Sequence, residues 1–89
     1  MIVKNTDMNL GETVNGMLSD DYKKRFISEY QQTKIRYQKL KNFCDRIEVA
    51  ELTWDNPLRM IALLREQQKW MGLYLGCLEK RAIIENITL

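Results

Sequence analysis

Apolar residues in this chain recur at helical rather than strand spacing. Between Met17 and Asn56 there is neither glycine nor proline. Projected at ~100° per residue, Tyr22, Phe26, Thr33, Tyr37, Leu40, Cys44 and Ile47 share one stripe, with Tyr30 at its margin. This pattern predicts one long amphipathic helix. Ser19-Asp20-Asp21 supplies its start, with Ser19 as candidate N-cap and two carboxylates where the helix dipole favours negative charge. The pattern carries the helix to about Ile47 or Glu48. The following VAELTWDN reads as a connection, and Asn56-Pro57 as a second helix start, Asn capping and Pro at the first helical position. That helix runs to about Glu85, before a short Ile-Thr-Leu tail. The expectation is an all-α single domain, an antiparallel hairpin of two long helices over residues 19–89. An N-terminal arm or short helix over residues 1–18 precedes it.

The second helix carries more apolar surface than a hairpin partner can bury. Met60, Leu64, Met71, Leu75, Leu78 and Ala82 form the expected core stripe. Leu63, Trp70, Leu73, Tyr74, Cys77 and Ile84 continue around the same helix, so that together they span roughly 200° of arc, about twice the need of a surface helix. A single partner helix covers one stripe. The excess predicts a homo-oligomeric helical bundle. The competing expectation is that Met8, Leu10, Val14, Met17 and Leu18 fold back as a cover. Gly72-x3-Gly76, two glycines in a helix interior at about 1 kcal/mol each relative to Ala, reads as a close backbone approach or as a tolerated cost.

Composition then removes chemistries. The chain has 89 residues, 14 basic and 12 acidic side chains for a net charge of +2, and no histidine. The commonest general base and zinc ligand are therefore missing. The carboxylates repeat no spacing that would converge on a metal, and no glycine-rich phosphate loop is present, so neither enzymatic activity, metal nor cofactor is expected. Cys44 and Cys77 fall at opposite ends of the expected hairpin, too distant to bridge, and read as buried reduced thiols. Neither a leader nor a membrane span is expected, and a reducing cytoplasm is the default compartment.

Charge is not evenly spread. Lys23, Lys24, Arg25, Lys34, Arg36, Lys39 and Lys41 face only Glu29 within residues 23–41, where the local charge is +6. Tyr22, Tyr30 and Tyr37 lie in or beside the same stretch. Arginine offers a planar fork for phosphate oxygens, and tyrosine a face for a base plus a hydroxyl. The combination suits a small phosphorylated ligand carrying bases. It also suits a solvated basic face over an aromatic seam, because long cationic side chains snorkel there. Gln67, Gln68 and Arg81 add polar groups at the apolar seam of the second helix.

Two runs of spacing carry a family resemblance. They are Tyr22-x2-Arg25-x3-Glu29 with Arg36-x3-Leu40-x2-Phe43, and Leu63-Leu64-x2-Gln67-x3-Met71-x2-Tyr74-x3-Leu78-x2-Arg81. Over about residues 22–82 the chain resembles the phage anti-CBASS sponge proteins. The resemblance implies a helical homohexamer that sequesters cyclic di- and trinucleotide immune signals, uncleaved, in the host bacterial cytoplasm. It implies that Tyr22 and Arg36 contact a cyclic dinucleotide, and that Arg81 serves a second site for cyclic trinucleotides. Lys23 and Arg25 join Arg36 as phosphate-neutralising candidates. Family members more often carry Lys at the Arg36 position and Leu at the Thr33 position, and have a shorter arm and connection. No DNA or RNA polymer and no membrane is an expected partner. The rival expectations are a protein-binding inhibitor of a bacterial defence complex, like an anti-CRISPR, and a structural helical oligomer.

Overall fold

The computed structural model describes residues 9–49 and 58–89, and among them only helices and turns occur. A 3-10 turn, Leu10–Thr13, leads into the short helix α1, Val14–Met17. Two long helices follow, α2 over Tyr22–Val49 and α3 over Leu58–Ile84. The expected connection at 49–56 lies almost entirely outside the described residues.

The start of α2 falls later than expected. Ser19 Oγ accepts the Asp21 N–H at 3.0 Å, whereas Asp21 Oδ1 accepts the Lys23 N–H at 2.8 Å. Asp21 is thus the residue that caps the helix, and Ser19 closes the turn before it. The far end of α3 is closed by Asn86, in left-handed backbone at φ 56°. Ile87 N–H then donates to Ala82 O at 2.8 Å and Asn86 N–H to Ile83 O at 3.4 Å, the paired bonds of a Schellman cap. The reversal drops Ile87 into the core, so the short tail is a packed element.

Contacts between the long helices follow an antiparallel order. Tyr22 meets Glu85, Tyr30 meets Glu79, and Glu48 meets Arg65, with numbers climbing along α2 as they fall along α3. Phe26, Tyr30, Leu75, Leu78, Ala82 and Ile87 form the buried cluster between them. At about 1.5–3 kcal/mol for each large apolar side chain, this cluster drives the pairing. Leu64 and Met71 of the expected stripe are half-buried, whereas Met60 is exposed.

The N-terminal segment settles on α2. Thr13 is 1% exposed and its hydroxyl takes a bond from Gln32 Nε2 at 3.2 Å. A Cβ built on Gly16 would overlap Ser28 Oγ and lie 2.9 Å from Ser28 Cβ, so only glycine lets α1 sit so close. Val14 and Leu18 stay exposed, and Met8 lies outside the described residues. Residues 9–18 do not cover the second apolar face of α3. Leu63, Trp70 and Leu73 remain 55–57% exposed and Ile84 79%. Cys44 is fully buried, but Cys77 is exposed on that same face, which corrects the expectation of two buried thiols.

Candidate functional site

Cap geometry at the end of α3 builds a convergent polar cluster. Just before the left-handed turn, Glu85 leans back toward the first turn of α2. Tyr22 donates its hydroxyl proton to Glu85 Oε1 at 2.6 Å and accepts from Arg81 NH2 at 2.8 Å. Arg81 Nε closes the triangle on Glu85 Oε2 at 3.1 Å. The guanidinium carbon also lies 4.8 Å above the centre of the Phe26 ring, so a buried aromatic fixes its plane. Tyr22 packs edge-on against the same ring, centroids 6.2 Å apart.

Electrostatics follow from these contacts. Glu85 is held below the usual carboxylate range, first by the Tyr22 hydroxyl and then by Arg81. The Tyr22 phenol is raised, mainly because its proton is shared with Glu85. Arg81 is raised by the same carboxylate. The cluster therefore presents a permanent cation, a neutral hydroxyl and one anion at an exposed surface.

Of the five residues expected from sequence, the fold unites Tyr22 and Arg81. Lys23 is exposed at the start of α2, where its N–H engages Asp21. Arg25 turns backward to donate to Ser19 O at 2.8 Å, tying down the turn before α2. Arg36 is exposed, and fourteen residues of helix place it about 21 Å from Tyr22. Tyr22 and Arg36 of one chain do not form a single pocket.

Some basic residues have structural employment. Lys34 lies 5.6 Å from the Tyr30 ring centre, and Lys41 pairs with Asp45 at 3.0 Å. These two fit the snorkelling reading of the basic stretch. Glu79 accepts the Tyr30 hydroxyl at 2.7 Å, and Glu29 accepts that of Tyr74. Burial and then the Glu79 bond push the Tyr30 phenol up to about 12.

At the other end of the helix pair, Arg65 meets two carboxylates. It donates to Glu48 at 2.6 and 3.0 Å, to Asp45 at 2.9 Å and to Gln68 at 2.5 Å. Both carboxylates are held low, each chiefly by its bond to Arg65. An open groove of about 530 Å³ lies nearby, lined by Tyr37, Arg65, Gln68, Lys69, Gly72 and Leu73. Here a Cβ on Gly72 would stand 3.2 Å from Tyr37 Cε1, whereas one on Gly76 would meet nothing within 4 Å. Gly72 thus accommodates the sister helix, and Gly76 faces open space.

Sequence reasoning missed the three tyrosine–glutamate bonds. The signal available was Glu85 four residues after Arg81, a spacing that places acid and base on one helical face. Among the described residues no group of acidic or cysteine side chains is placed to hold a metal, and no helix is long and apolar enough to cross a membrane.

The Sequestin family profile matches residues 20–84, a span that takes in α2, α3 and the Tyr22–Arg81 cluster. No curated protein and no solved structure matches the chain.

Proposed function

The chain belongs to the Sequestin family, and from that premise we propose that it is a phage anti-defence protein that sequesters cyclic oligonucleotides. It holds cyclic di- or trinucleotide immune signals uncleaved in the host cytoplasm, as a homo-oligomer for which a hexamer is the expected count. The family name itself speaks of sequestration. The observation that carries the reading is the Tyr22–Arg81–Glu85 cluster, where a guanidinium plane and a phenol are held ready at an exposed edge. Arginine presents paired N–H donors to a phosphate, and tyrosine adds a hydroxyl or a stacking face.

In this reading Arg81 and Tyr22 engage the phosphate, and Lys23 adds positive charge. Arg25 contributes charge while it closes the turn. Arg36 reaches the same ligand only from another copy, given its distance along α2. The proposed mechanism is mass action without bond cleavage. An abundant binder lowers the free signal below the level its effector needs.

Native mass spectrometry with a mixed pool of cyclic di- and trinucleotides tests this. A homo-oligomer carrying the added mass of intact nucleotide is expected, and heating the complex should return that nucleotide unchanged. A rise in melting temperature should accompany binding, since the ligand engages only the folded state. Absence of bound mass and of any thermal shift across the panel refutes the reading. A lone protomer that instead captures a bacterial defence protein would favour the inhibitor alternative.

A further inference from the structure

Four tyrosines sit along the helix pair, and their hydroxyls are placed unequally. Those of Tyr22, Tyr30 and Tyr74 each donate to a glutamate. The Tyr37 hydroxyl has no hydrogen-bond partner among the described residues, although its ring is half-buried and set close against Gly72. Tyr37 lines the groove of about 530 Å³ together with Arg65, Gln68, Lys69 and Leu73.

Cations on this flank divide in the same way. Arg65 is held by Asp45 and Glu48. Lys69 has no carboxylate partner among the described residues and rests over the Trp70 ring, 5.2 Å from its centre. Lys34 is likewise satisfied only by a ring, that of Tyr30. Because Tyr37 packs beside Gly72 and Tyr30 bonds Glu79, the antiparallel order sets Lys34 level with Gly76. A Cβ on Gly76 would meet nothing within 4 Å. No packing inside the protomer therefore accounts for a glycine that costs a helix interior about 1 kcal/mol relative to Ala.

We propose that this groove binds a phosphorylated planar ring of the size of a nucleoside monophosphate. The phosphate sits between Lys69 and the Tyr37 hydroxyl, which donates to it. Lysine is a mobile point charge, and a phosphate oxygen is a stronger partner for it than the face of an exposed ring. The ring extends over the bare backbone at Gly76, where Lys34 meets its acceptor atoms. Seven residues separate Lys69 from Gly76, about 10 Å of helix, which such a ligand spans. The groove volume also falls within the range of about 300–1,000 Å³ typical of small-molecule sites. From Gly72 to Arg81 is nine residues, about 180° around α3, so the groove and the Tyr22–Arg81 cluster occupy opposite flanks. The site does not depend on the sequestration reading.

Titration calorimetry of the full chain with 5′-AMP, 5′-GMP, adenosine and inorganic phosphate tests this. A monophosphate should bind with a dissociation constant below about 1 mM, and adenosine or phosphate alone roughly tenfold more weakly. Gly76→Leu, placed in open space, should keep or raise the melting temperature and weaken binding by roughly tenfold as its side chain fills the floor. Lys69→Ala should weaken it by about tenfold and Tyr37→Phe by less, whereas Arg81→Ala should leave it unchanged. No saturable binding of either monophosphate overturns the site. Binding that survives Gly76→Leu, or that falls with Arg81→Ala, puts the ligand elsewhere and overturns it as well. Phosphate that binds as tightly as the monophosphates overturns the ring. A chain that takes no cyclic nucleotide yet binds 5′-AMP in this pattern supports the groove and sinks only the sequestration reading.

Discussion

Each end of the helix pair is built around an arginine of α3, and the two are built differently. Arg65 meets Asp45 and Glu48, two carboxylates from α2, and donates to a glutamine as well. Arg81 meets one carboxylate, Glu85 of its own helix, and a neutral hydroxyl from α2. Asp45 also pairs with Lys41, so two cations share two carboxylates there, and Arg65 ties two helices together. Arg81 is balanced one to one by Glu85, and its partner across the helix pair is uncharged. The same side chain clasps two helices through carboxylates in one setting and through a hydroxyl in the other, and it is the second that the proposed function casts as a ligand contact.

The bluntest break is to remove the core from which both ends hang. Leu78 is 1% exposed, and Leu78→Ala should cost about 2–5 kcal/mol in a denaturant titration, with both polar clusters loosened together. A sharper cut is Arg81→Ala. Cyclic nucleotide affinity by calorimetry should fall about tenfold or more, the effect of losing a charged donor to phosphate, while the unliganded melting temperature moves little. Arg65→Met should do the converse, lowering the melting temperature and leaving affinity unchanged. If the two variants behave alike, the distinction between the ends fails.

Acid separates the ends further. Glu85, Asp45 and Glu48 are all depressed in the folded state, so their contribution is present above the ordinary carboxylate range. It is lost as pH falls through their lowered folded values. Two of the three belong to Arg65, and Arg65→Met should therefore flatten the acid limb of the stability profile more than Arg81→Ala. The smallest effect lies at high pH. Tyr30, raised to about 12, stabilises fully below its unfolded value near 10 and loses that contribution as pH climbs through the folded one. Phenolate absorbance should show Tyr22 and Tyr30 titrating late, and Glu79→Gln should bring the Tyr30 part earlier.

Much of the fold was legible because helical patterning is local. Phe26, Cys44, Ile47, Leu75, Leu78 and Ala82 fall inside as their spacing predicts. The surplus face of α3 was legible too, and its Trp70 and Leu73 stand exposed in the protomer. The cap at Asp21 was not, since Ser19, Asp20 and Asp21 all satisfy the same preference and only the path of the arm distinguishes them. The arm's seat on α2 depended on Gly16 meeting Ser28, a tertiary coincidence without periodicity. In the candidate site Tyr22 and Arg81 were visible as separate residue types. Their union required knowing how far α3 runs and where Asn86 turns the chain, whereas Arg36 was joined to Tyr22 through the family resemblance, about four turns of helix apart.

That turn at Asn86 reaches past helix termination. By folding Ile87 back onto Ala82 it anchors the stretch of backbone from which Glu85 projects, and Glu85 in turn holds Arg81 and Tyr22 in line. Clipping the chain after Asn86 would leave every proposed contact residue intact, yet unmoor the carboxylate that keeps them aimed. An apolar residue outside the cluster would then govern how firmly the proposed contact residues are held.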